Sequence, residues 1–355
     1  SGPPAGISQL GGEVRFCCCA SIDQMVSGMI ARMAVPVLVA ASSLARAAPA
    51  GTTVWHVVWT GGQSNSVGTN SQTSGYPTWP TSPRIQNFCW SGHGCTAGTF
   101  AAAKVPLFNE HNVGFSQTFA NLLLRTLPAE HGIVLLNTGV GGTGFIDGRW
   151  VVPNGSLTVQ SIAAVQKLAA ALPGTLGGIY SFHSMLWHQG ECDAGDNREN
   201  FQASYCHYLQ NDLTALVDHL RASFPGASAG TPFIGGGLLP YWVDKVNGTA
   251  GVENAIYALN TSRPCTATAD SRIFADFLPG GIPNGDPKFR SGVSGDVIHF
   301  NATEAVGMGH QYWAAYQRAV RLSYVVPSTA TAGCKNGMPT GGTTCASSLA
   351  LKVPH

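Results

Sequence analysis

Charged side chains are scarce in this sequence. Lysine, arginine, aspartate and glutamate make up 10% of its 355 residues, against about 25% in an average soluble protein. The formal net charge is only +1, and no run of five or more basic residues occurs. Proteins that bind DNA or RNA need a basic surface to neutralise phosphates, so the sequence predicts no nucleic-acid partner.

Motifs for metals, cofactors and membrane spans are also missing. There is no Cys-x-x-Cys pair and no histidine-rich cluster, which disfavours a structural zinc site. The glycines at 139, 141 and 144 fit a Gly-x-Gly-x-x-Gly pattern, but no helix opens directly behind them, as a nucleotide site would require. We therefore expect no cofactor and no metal. The amino-terminal apolar run, residues 34–41, is too short to span a bilayer, so no stable membrane span is expected.

The first fifty residues differ in character from the rest. Arg32 precedes the apolar residues 34–41, and the small residues Ala45-Arg46-Ala47 follow, which is the order of a secretory signal peptide. We expect a signal peptide near residues 29–48 and a secreted protein, although a membrane-proximal tail would have a similar composition. Residues 1–48 are then an upstream segment, 49–326 the main domain and 327–355 a Gly/Thr/Ser-rich tail.

Cysteine spacing and glycosylation motifs agree with an oxidising compartment. Cys89 and Cys95 flank a short Gly/Ser loop, and Cys334 and Cys345 flank another, so each pair could close a local disulfide. Asn-x-Ser/Thr triplets would be glycan acceptors in a secreted chain. They begin at Asn154, Asn247, Asn260 and Asn301. The sequence leaves open which of them carry glycans, and it does not indicate an oligomeric state.

Apolar strand candidates alternate with helical patterns from residue 54 onward. Hydrophobic residues reach 44% of the chain, enough for a large core. The strand candidates are 54–59, 132–137, 179–187, 232–239 and 272–278, and the helix candidates are 116–127, 156–172, 199–224, 252–259 and 303–322. Strands separated by helices need crossover connections. The prediction is an α/β fold, a three-layer sandwich with a mostly parallel five-stranded sheet.

A nucleophile candidate lies at the end of the first strand. Gly61 and Gly62 allow a sharp turn after the apolar run, and Ser64 follows at the strand tip, where backbone N–H groups can stabilise a negative oxygen. A Gly/Ser/Asn loop without any chemical role would have the same composition. The remaining strand ends must therefore supply the partners that a serine nucleophile needs.

Three later loops carry suitable partners. A glycine-rich loop containing Gly142 follows the second strand and exposes backbone N–H groups. Gln189 follows the third strand and offers a side-chain amide, as an oxyanion hole requires. Asp296 precedes His299 by three residues, so one loop could supply a base and the carboxylate that orients it. His188 is the competing base.

In this order the four stretches resemble the sequence blocks of the SGNH hydrolases. The stretches are Gly62-Gln63-Ser64-Asn65, Gly141-Gly142-Thr143, Trp187-His188-Gln189-Gly190-Glu191 and Asp296-x-x-His299. The greatest similarity is to the sialate O-acetylesterase-like branch, which includes carbohydrate esterase family 6. Ser66 departs from the pattern, because that branch usually has methionine there. The resemblance covers roughly residues 54–322 and implies a flavodoxin-like arrangement of the sheet.

The resemblance also implies residue roles. Ser64 would be the nucleophile, His299 the general base and Asp296 its orienting acid. The oxyanion hole would consist of the backbone N–H groups of Ser64 and Gly142 and the side chain of Gln189. The implied supporting residues are Gln63, Asn65 and Glu191. Trp187, Tyr241 and Trp242 are candidate sugar-stacking surfaces, although large aromatic residues are more often part of the core.

The expected activity is removal of O-acetyl groups from acetylated carbohydrate, either sialic acid or a plant-type polysaccharide, through an acetyl-serine intermediate. Two alternatives remain at this stage. One is a catalytically inactive carbohydrate-binding protein on the same fold, and the other is a lipid esterase or thioesterase. An α/β-hydrolase is disfavoured, because Ser66 breaks its Gly-x-Ser-x-Gly elbow.

Overall fold

The computed structural model describes residues 51–69, 82–91, 95–195, 207–239, 243, 249–272 and 298–324. The strands are β1 (Val54–Gly62), β2 (Ile85–Phe88), β3 (Phe100–Ala102), β4 (His131–Asn137), β5 (Ile179–His188), β6 (Phe233–Gly236) and β7 (Thr266–Ala269). The helices are α1 (Ser116–Leu124), α2 (Ser156–Thr175), α3 (Glu191–Gly195), α4 (Thr214–Ser223), α5 (Thr249–Ser262) and α6 (Ala302–Tyr324), with a π-helical segment, His207–Leu213, leading into α4.

The strands form one twisted sheet in the order β3-β2-β4-β1-β5-β6-β7. All neighbouring pairs are parallel except β2 and β3, which are antiparallel. The predicted α/β fold with a mostly parallel sheet is therefore confirmed. The predicted strand number is wrong, because the sheet has seven strands rather than five.

Alternating side chains along the central strands build a core on each face of the sheet. Trp55, Val57 and Trp59 of β1 pack on one side with α2, α4 and α5. Val58 points to the other side and packs with α1 and α6. Because successive side chains of a strand point to opposite faces, the almost continuous apolar run of β1 is buried on both sides. The result is the expected three layers.

The elements that the sequence analysis missed are short and rich in polar or small residues. β2 has the sequence Ile-Gln-Asn-Phe and β3 has Phe-Ala-Ala, so neither has a clear apolar pattern. β7 consists of Thr-Ala-Thr-Ala, and its Thr266 and Thr268 hydroxyls donate to carbonyl groups of α5. The strand expected at 272–278 lies outside the described residues from 273 onward, and Arg272 itself belongs to a turn.

The long helix expected at 199–224 is divided in the described part of the chain. Residues 207–213 are π-helical and α4 ends at Ser223, just before Pro225 and Gly226.

One of the two expected local disulfides is present, between Cys89 and Cys95, and it closes the connection between β2 and β3. Cys334 and Cys345 lie outside the described residues.

Three histidines lie together on β1, β4 and β5, toward the amino-terminal ends of these strands. The predicted site lies at the opposite, carboxyl-terminal ends. His56 Nε2 is 2.9 Å from His131 Nδ1, and the His56 and His183 rings are 5.3 Å apart. His183 contacts the Tyr316 hydroxyl through Nε2 at 3.0 Å and the Ser184 hydroxyl through Nδ1 at 3.2 Å. Burial, with the charge of His131, lowers the pKa of His56 to about 4. Burial, with the charge of His56, lowers the pKa of His183 to about 3.

This cluster predicts loss of stability in mild acid. In the unfolded chain each histidine takes up a proton near its ordinary pKa of about 6.5, whereas the folded protein resists protonation. The contribution of these histidines to the free energy of unfolding is therefore full above that pH and declines below it. For His183 the linkage relation gives a loss of about 2 kcal/mol at pH 5. The measurement is the free energy of unfolding in urea at pH 7.5 and pH 5.

His183→Gln keeps hydrogen-bonding groups for Tyr316 and Ser184 but cannot be protonated, so the pH-dependent loss should shrink by about 2 kcal/mol. His219→Gln, on a partly exposed position of α4, should leave the loss as in the wild type. An identical pH dependence in His183→Gln and the wild type would contradict the assignment.

Candidate active site

The nucleophile candidate sits in a tight turn at the carboxyl end of β1. Gly62 has a φ of +123°, and a β-carbon there would collide with the carbonyl oxygen of His188, so only glycine fits. The backbone N–H of Gln63 donates to the same oxygen at 2.9 Å. A single 3₁₀ turn, Ser64–Val67, follows. β1 and β5 therefore jointly fix the position of Ser64.

The side chain of His299, a residue near the carboxyl-terminal end of the domain sequence, contacts this turn. Its Nε2 lies 2.9 Å from Ser64 Oγ, although the two residues are 235 positions apart. Ser64 as a whole is 6% exposed and is therefore a buried residue. A serine and a histidine at this distance have the geometry that acyl transfer requires of a nucleophile and its base. Asp296, the predicted orienting acid, lies outside the described residues.

The glycine-rich loop after β4 packs directly against the nucleophile. A β-carbon on Gly141 would lie 3.7 Å from Ser64 Cβ. Gly142 has a φ of +68°, and its carbonyl oxygen accepts a hydrogen bond from Arg149 Nη2 at 3.1 Å. Thr143 Oγ1 donates to the Val140 carbonyl at 2.8 Å and closes the loop. The sheet therefore brings the predicted oxyanion loop next to Ser64.

Gln189 is fully buried between the loop after β4 and the nucleophile turn. Its Nε2 lies 3.4 Å from Thr143 O and 3.4 Å from Gln63 Oε1, and it also donates to Asp193 Oδ2. The Tyr208 hydroxyl donates to Gln189 Oε1 at 2.8 Å. These contacts fix the amide with its nitrogen toward Asp193, Thr143 and Gln63 and its oxygen toward Tyr208.

Asp193 is a structural residue of the site that sequence reasoning missed. Its two carboxylate oxygens accept hydrogen bonds from the backbone N–H groups of Phe145 and Ile146, at 3.0 and 2.8 Å. It thereby links the glycine-rich loop to Gln189. The signal in the sequence was its position four residues after Gln189, in the short helix α3 that begins at Glu191.

The other supporting candidates lie behind the nucleophile. Asn65 Nδ2 donates to Glu191 Oε1 at 2.6 Å, and Gln63 Oε1 accepts from the Cys192 backbone N–H at 3.2 Å. Burial alone would raise the pKa of Glu191. Hydrogen bonding and charge from His188, together with the hydrogen bond from Asn65, outweigh it and hold that pKa below its ordinary value. Glu191 is therefore a buried carboxylate at neutral pH.

Of the three predicted sugar-stacking aromatics only Trp187 lies in the described residues, and it does not line the site. Trp187 is completely buried and stacks edge-to-face on Trp150 in the core, because its position in β5 faces α2. Tyr241 and Trp242 lie outside the described residues.

A cleft of about 480 Å³ opens beside Ser64 instead, and Gly141 borders both. Its lining includes apolar, aromatic and amide side chains and also an imidazole and a carboxyl group, from Trp90, Asn109, Glu110, His111, Val140 and Gln160. Trp90 follows β2, and the sequence analysis missed it because it missed that strand. A cleft of this size and mixed polarity is typical of a small-molecule site.

The described part of the chain contains no cluster of three or more histidine, cysteine, aspartate or glutamate side chains placed to hold a metal ion. None of its helices combines the length and the apolar character that crossing a membrane requires.

Comparison with known proteins gives a family and a fold. The family model described as "Carbohydrate esterase, sialic acid-specific acetylesterase" matches residues 54–318. A solved Arabidopsis thaliana protein superposes with a TM-score of 0.52 at 17% identity, covering 74% of this chain and 98% of its own. The structure of NanS superposes with a TM-score of 0.52 at 16% identity, covering 75% and 98%. At these identities the two structures show the fold alone. No curated protein matches the sequence significantly.

Proposed function

Because this chain belongs to the carbohydrate esterase family described as sialic acid-specific acetylesterases, and is thus a carboxylic ester hydrolase, we propose that it removes O-acetyl groups from carbohydrate through an acetyl-serine intermediate. The observation that carries the proposal is the 2.9 Å contact between Ser64 Oγ and His299 Nε2. Gly141, which lines the cleft, lies next to Ser64. The family match covers well over half of the chain.

In the proposed mechanism Ser64 Oγ attacks the acetyl carbonyl carbon while His299 Nε2 takes the hydroxyl proton. The negative oxygen of the tetrahedral intermediate is stabilised by the N–H groups of Ser64 and Gly142 and by the Gln189 amide. The C–O bond to the sugar breaks, and His299 returns the proton to the departing hydroxyl. Water then attacks the acetyl-serine with the same base and releases acetate. Asp296 orients the imidazole and stabilises its charged form.

The sugar is proposed to occupy the cleft beside Gly141. Trp90 offers an aromatic surface there, and Asn109 and Gln160 offer amide groups. Aromatic and amide side chains suit a ring that carries both apolar C–H faces and hydroxyl groups. This placement assigns the substrate-binding part to residues that the sequence analysis did not identify.

Acetate release from a panel of acetylated glycans tests the proposed function. The panel contains acetylated xylan, acetylated pectin and O-acetylated sialic acid, with nitrophenyl esters of increasing acyl length beside it. An acetylesterase releases acetate from at least one glycan and prefers the acetyl ester. Preference for long acyl chains would indicate a lipid esterase, and glycan binding without acetate release would indicate a carbohydrate-binding protein.

Gln189→Ala should lower kcat for nitrophenyl acetate by about 10²- to 10³-fold, because one donor to the developing oxyanion is removed. Steady-state kinetics check this, together with a urea unfolding curve that verifies folding. Tyr208→Phe is the matched control, since it removes the hydrogen bond to Gln189 Oε1 but keeps the donor, and its kcat should fall by less than about tenfold. A folded Gln189→Ala variant with wild-type kcat would contradict the oxyanion role.

Export of the chain is part of the same proposal. The Cys89–Cys95 disulfide supports an oxidising compartment, and the acceptor positions Asn154 and Asn260 are exposed. Asn301 instead uses its side chain within the fold, where Oδ1 accepts from the Glu304 N–H at 2.9 Å. Amino-terminal sequencing of the exported protein would locate the cleavage point.

A further inference from the structure

The side chain of Asn65 holds the backbone on both sides of His299. Asn65 Nδ2 donates to the carbonyl oxygen of Ile298 at 2.9 Å, and Asn65 Oδ1 accepts from the backbone N–H of Phe300 at 3.0 Å. The side-chain amide of Asn65 thus forms the two hydrogen bonds, one on each side of residue 299, that the backbone of a neighbouring β-strand would form. Asn65 is also the residue directly after Ser64. One side chain therefore connects the nucleophile to the base across 235 positions of sequence.

The remaining N–H of Asn65 determines which way the amide faces. It donates to Glu191 Oε1 at 2.6 Å, so both N–H groups and the oxygen are used. Glu191 is fully buried and accepts only as a carboxylate, which forces the amide nitrogen toward it. The oxygen must then face the Phe300 N–H. A buried carboxylate orients an amide more strongly than a neutral partner would, because a hydrogen bond to a charged group is stronger.

We propose that Asn65, oriented by Glu191, is the positioning residue that sets His299 against Ser64. The proposal rests on the proposed function for the role of His299 as base. Neither Asn65 nor Glu191 is a catalytic residue, since both act through the backbone of residues 298–300. The physical reason is geometric, because a misplacement of about 1 Å in a reacting pair can cost about 10² in rate.

Asn65→Ala should lower kcat by about 10- to 100-fold and leave KM within about threefold, because the loop shifts while the cleft is unchanged. Asn121→Ala is the matched control: its Nδ2 donates to the Gln117 carbonyl at 2.9 Å within α1, away from Ser64. The control should lose stability without a change in kcat. An Asn65→Ala variant that is folded and has wild-type kcat would overturn the proposal.

A double exchange separates positioning from a general loss of packing. Asn65→Asp alone places two carboxylates together, and Glu191→Gln alone removes the charge that orients the amide, so each should lower kcat by at least about tenfold. In Asn65→Asp/Glu191→Gln the new amide can donate to the new carboxylate, which can still accept from the Phe300 N–H. The bond to Ile298 O is lost, and the contact between residue 191 and His188 Nε2 changes as well. We expect the double variant to recover kcat at least about tenfold over the Asn65→Asp variant.

If kcat of the double variant is lowered by as much as the product of the two single reductions, the proposed orientation by Glu191 is overturned. The recovery is a readout that a purely structural role would not produce, provided that all variants show the same folded fraction at the assay temperature. Circular dichroism and urea unfolding curves establish that fraction.

Labelling by diisopropyl fluorophosphate distinguishes failure of this proposal from failure of the proposed function. The Ser64 oxygen forms a bond to phosphorus, fluoride leaves and His299 takes the hydroxyl proton, so the reaction needs the base but no acetyl group or sugar. Slow labelling in Asn65→Ala with recovery in the double variant supports positioning even if no acetylated glycan is hydrolysed. Equal labelling rates in wild type and Asn65→Ala overturn it even if acetate is released. A wild type that is not labelled at Ser64 overturns both.

Discussion

Ser64→Ala is expected to abolish hydrolysis of nitrophenyl acetate, with kcat lowered by about 10⁴- to 10⁶-fold, the range found when a serine nucleophile is removed. Without Oγ no acetyl-enzyme can form, and the imidazole of His299 loses its 2.9 Å partner. The remaining rate would come from the oxyanion donors and binding alone. Rapid-mixing kinetics should show a burst of nitrophenol in the wild type and none in the variant.

Ser66→Ala is the matched control for the nucleophile. Ser66 lies in the same 3₁₀ turn and is buried, and its Oγ donates to the Gln63 carbonyl at 2.6 Å. Its loss should reduce kcat by less than about tenfold, the effect expected from one neutral hydrogen bond. Mass spectrometry of the trapped enzyme should find the acetyl group on the peptide that contains Ser64. Full activity in Ser64→Ala would rule out the acetyl-serine mechanism.

His299→Gln should lower kcat by about 10⁴-fold or more, because glutamine can accept a hydrogen bond from Ser64 but cannot take its proton. KM should change little, since the cleft side chains are untouched. Steady-state kinetics with nitrophenyl acetate check both expectations, and urea unfolding curves verify that the variant is folded.

His188→Gln is the informative comparison, because His188 was the competing base. In the structure His188 is fully buried, with Nδ1 3.2 Å from the Tyr312 hydroxyl and Nε2 3.5 Å from Glu191 Oε1. We expect a smaller loss of kcat in this variant than in His299→Gln. The opposite pattern, with the larger loss of kcat in a folded His188→Gln variant, would make His188 the base.

The central strands were predictable because their residues face two buried layers. An apolar run followed by paired glycines indicates a strand and a sharp turn in any context, and β1, β4 and β5 lie where the sequence places them. The edge strands β2, β3 and β7 were not predictable in this way. Their pairing is decided by neighbours distant in sequence, and buried polar side chains such as Thr268 are satisfied only by the adjacent helix.

The same contrast holds within the candidate site. The types and order of Ser64, Gln189 and His299 were visible in the sequence, since acyl transfer needs a hydroxyl, a base and amide donors. Their distances were not visible, because each comes from the end of a different strand or loop. Trp187 illustrates the opposite error, since an aromatic residue beside a motif looks like a sugar contact until its strand face is known.

From the sequence alone follow the α/β class, the sharp turn after β1 and the residue types of the candidate site, because local backbone preferences and side-chain chemistry depend on few neighbours. The tertiary structure alone decides that Asn65 holds the loop of His299, that Asp193 links Gln189 to the glycine-rich loop and that Trp90 borders the cleft. Those contacts join segments far apart in the chain, and only the packing of the sheet and its helices brings them within hydrogen-bonding distance.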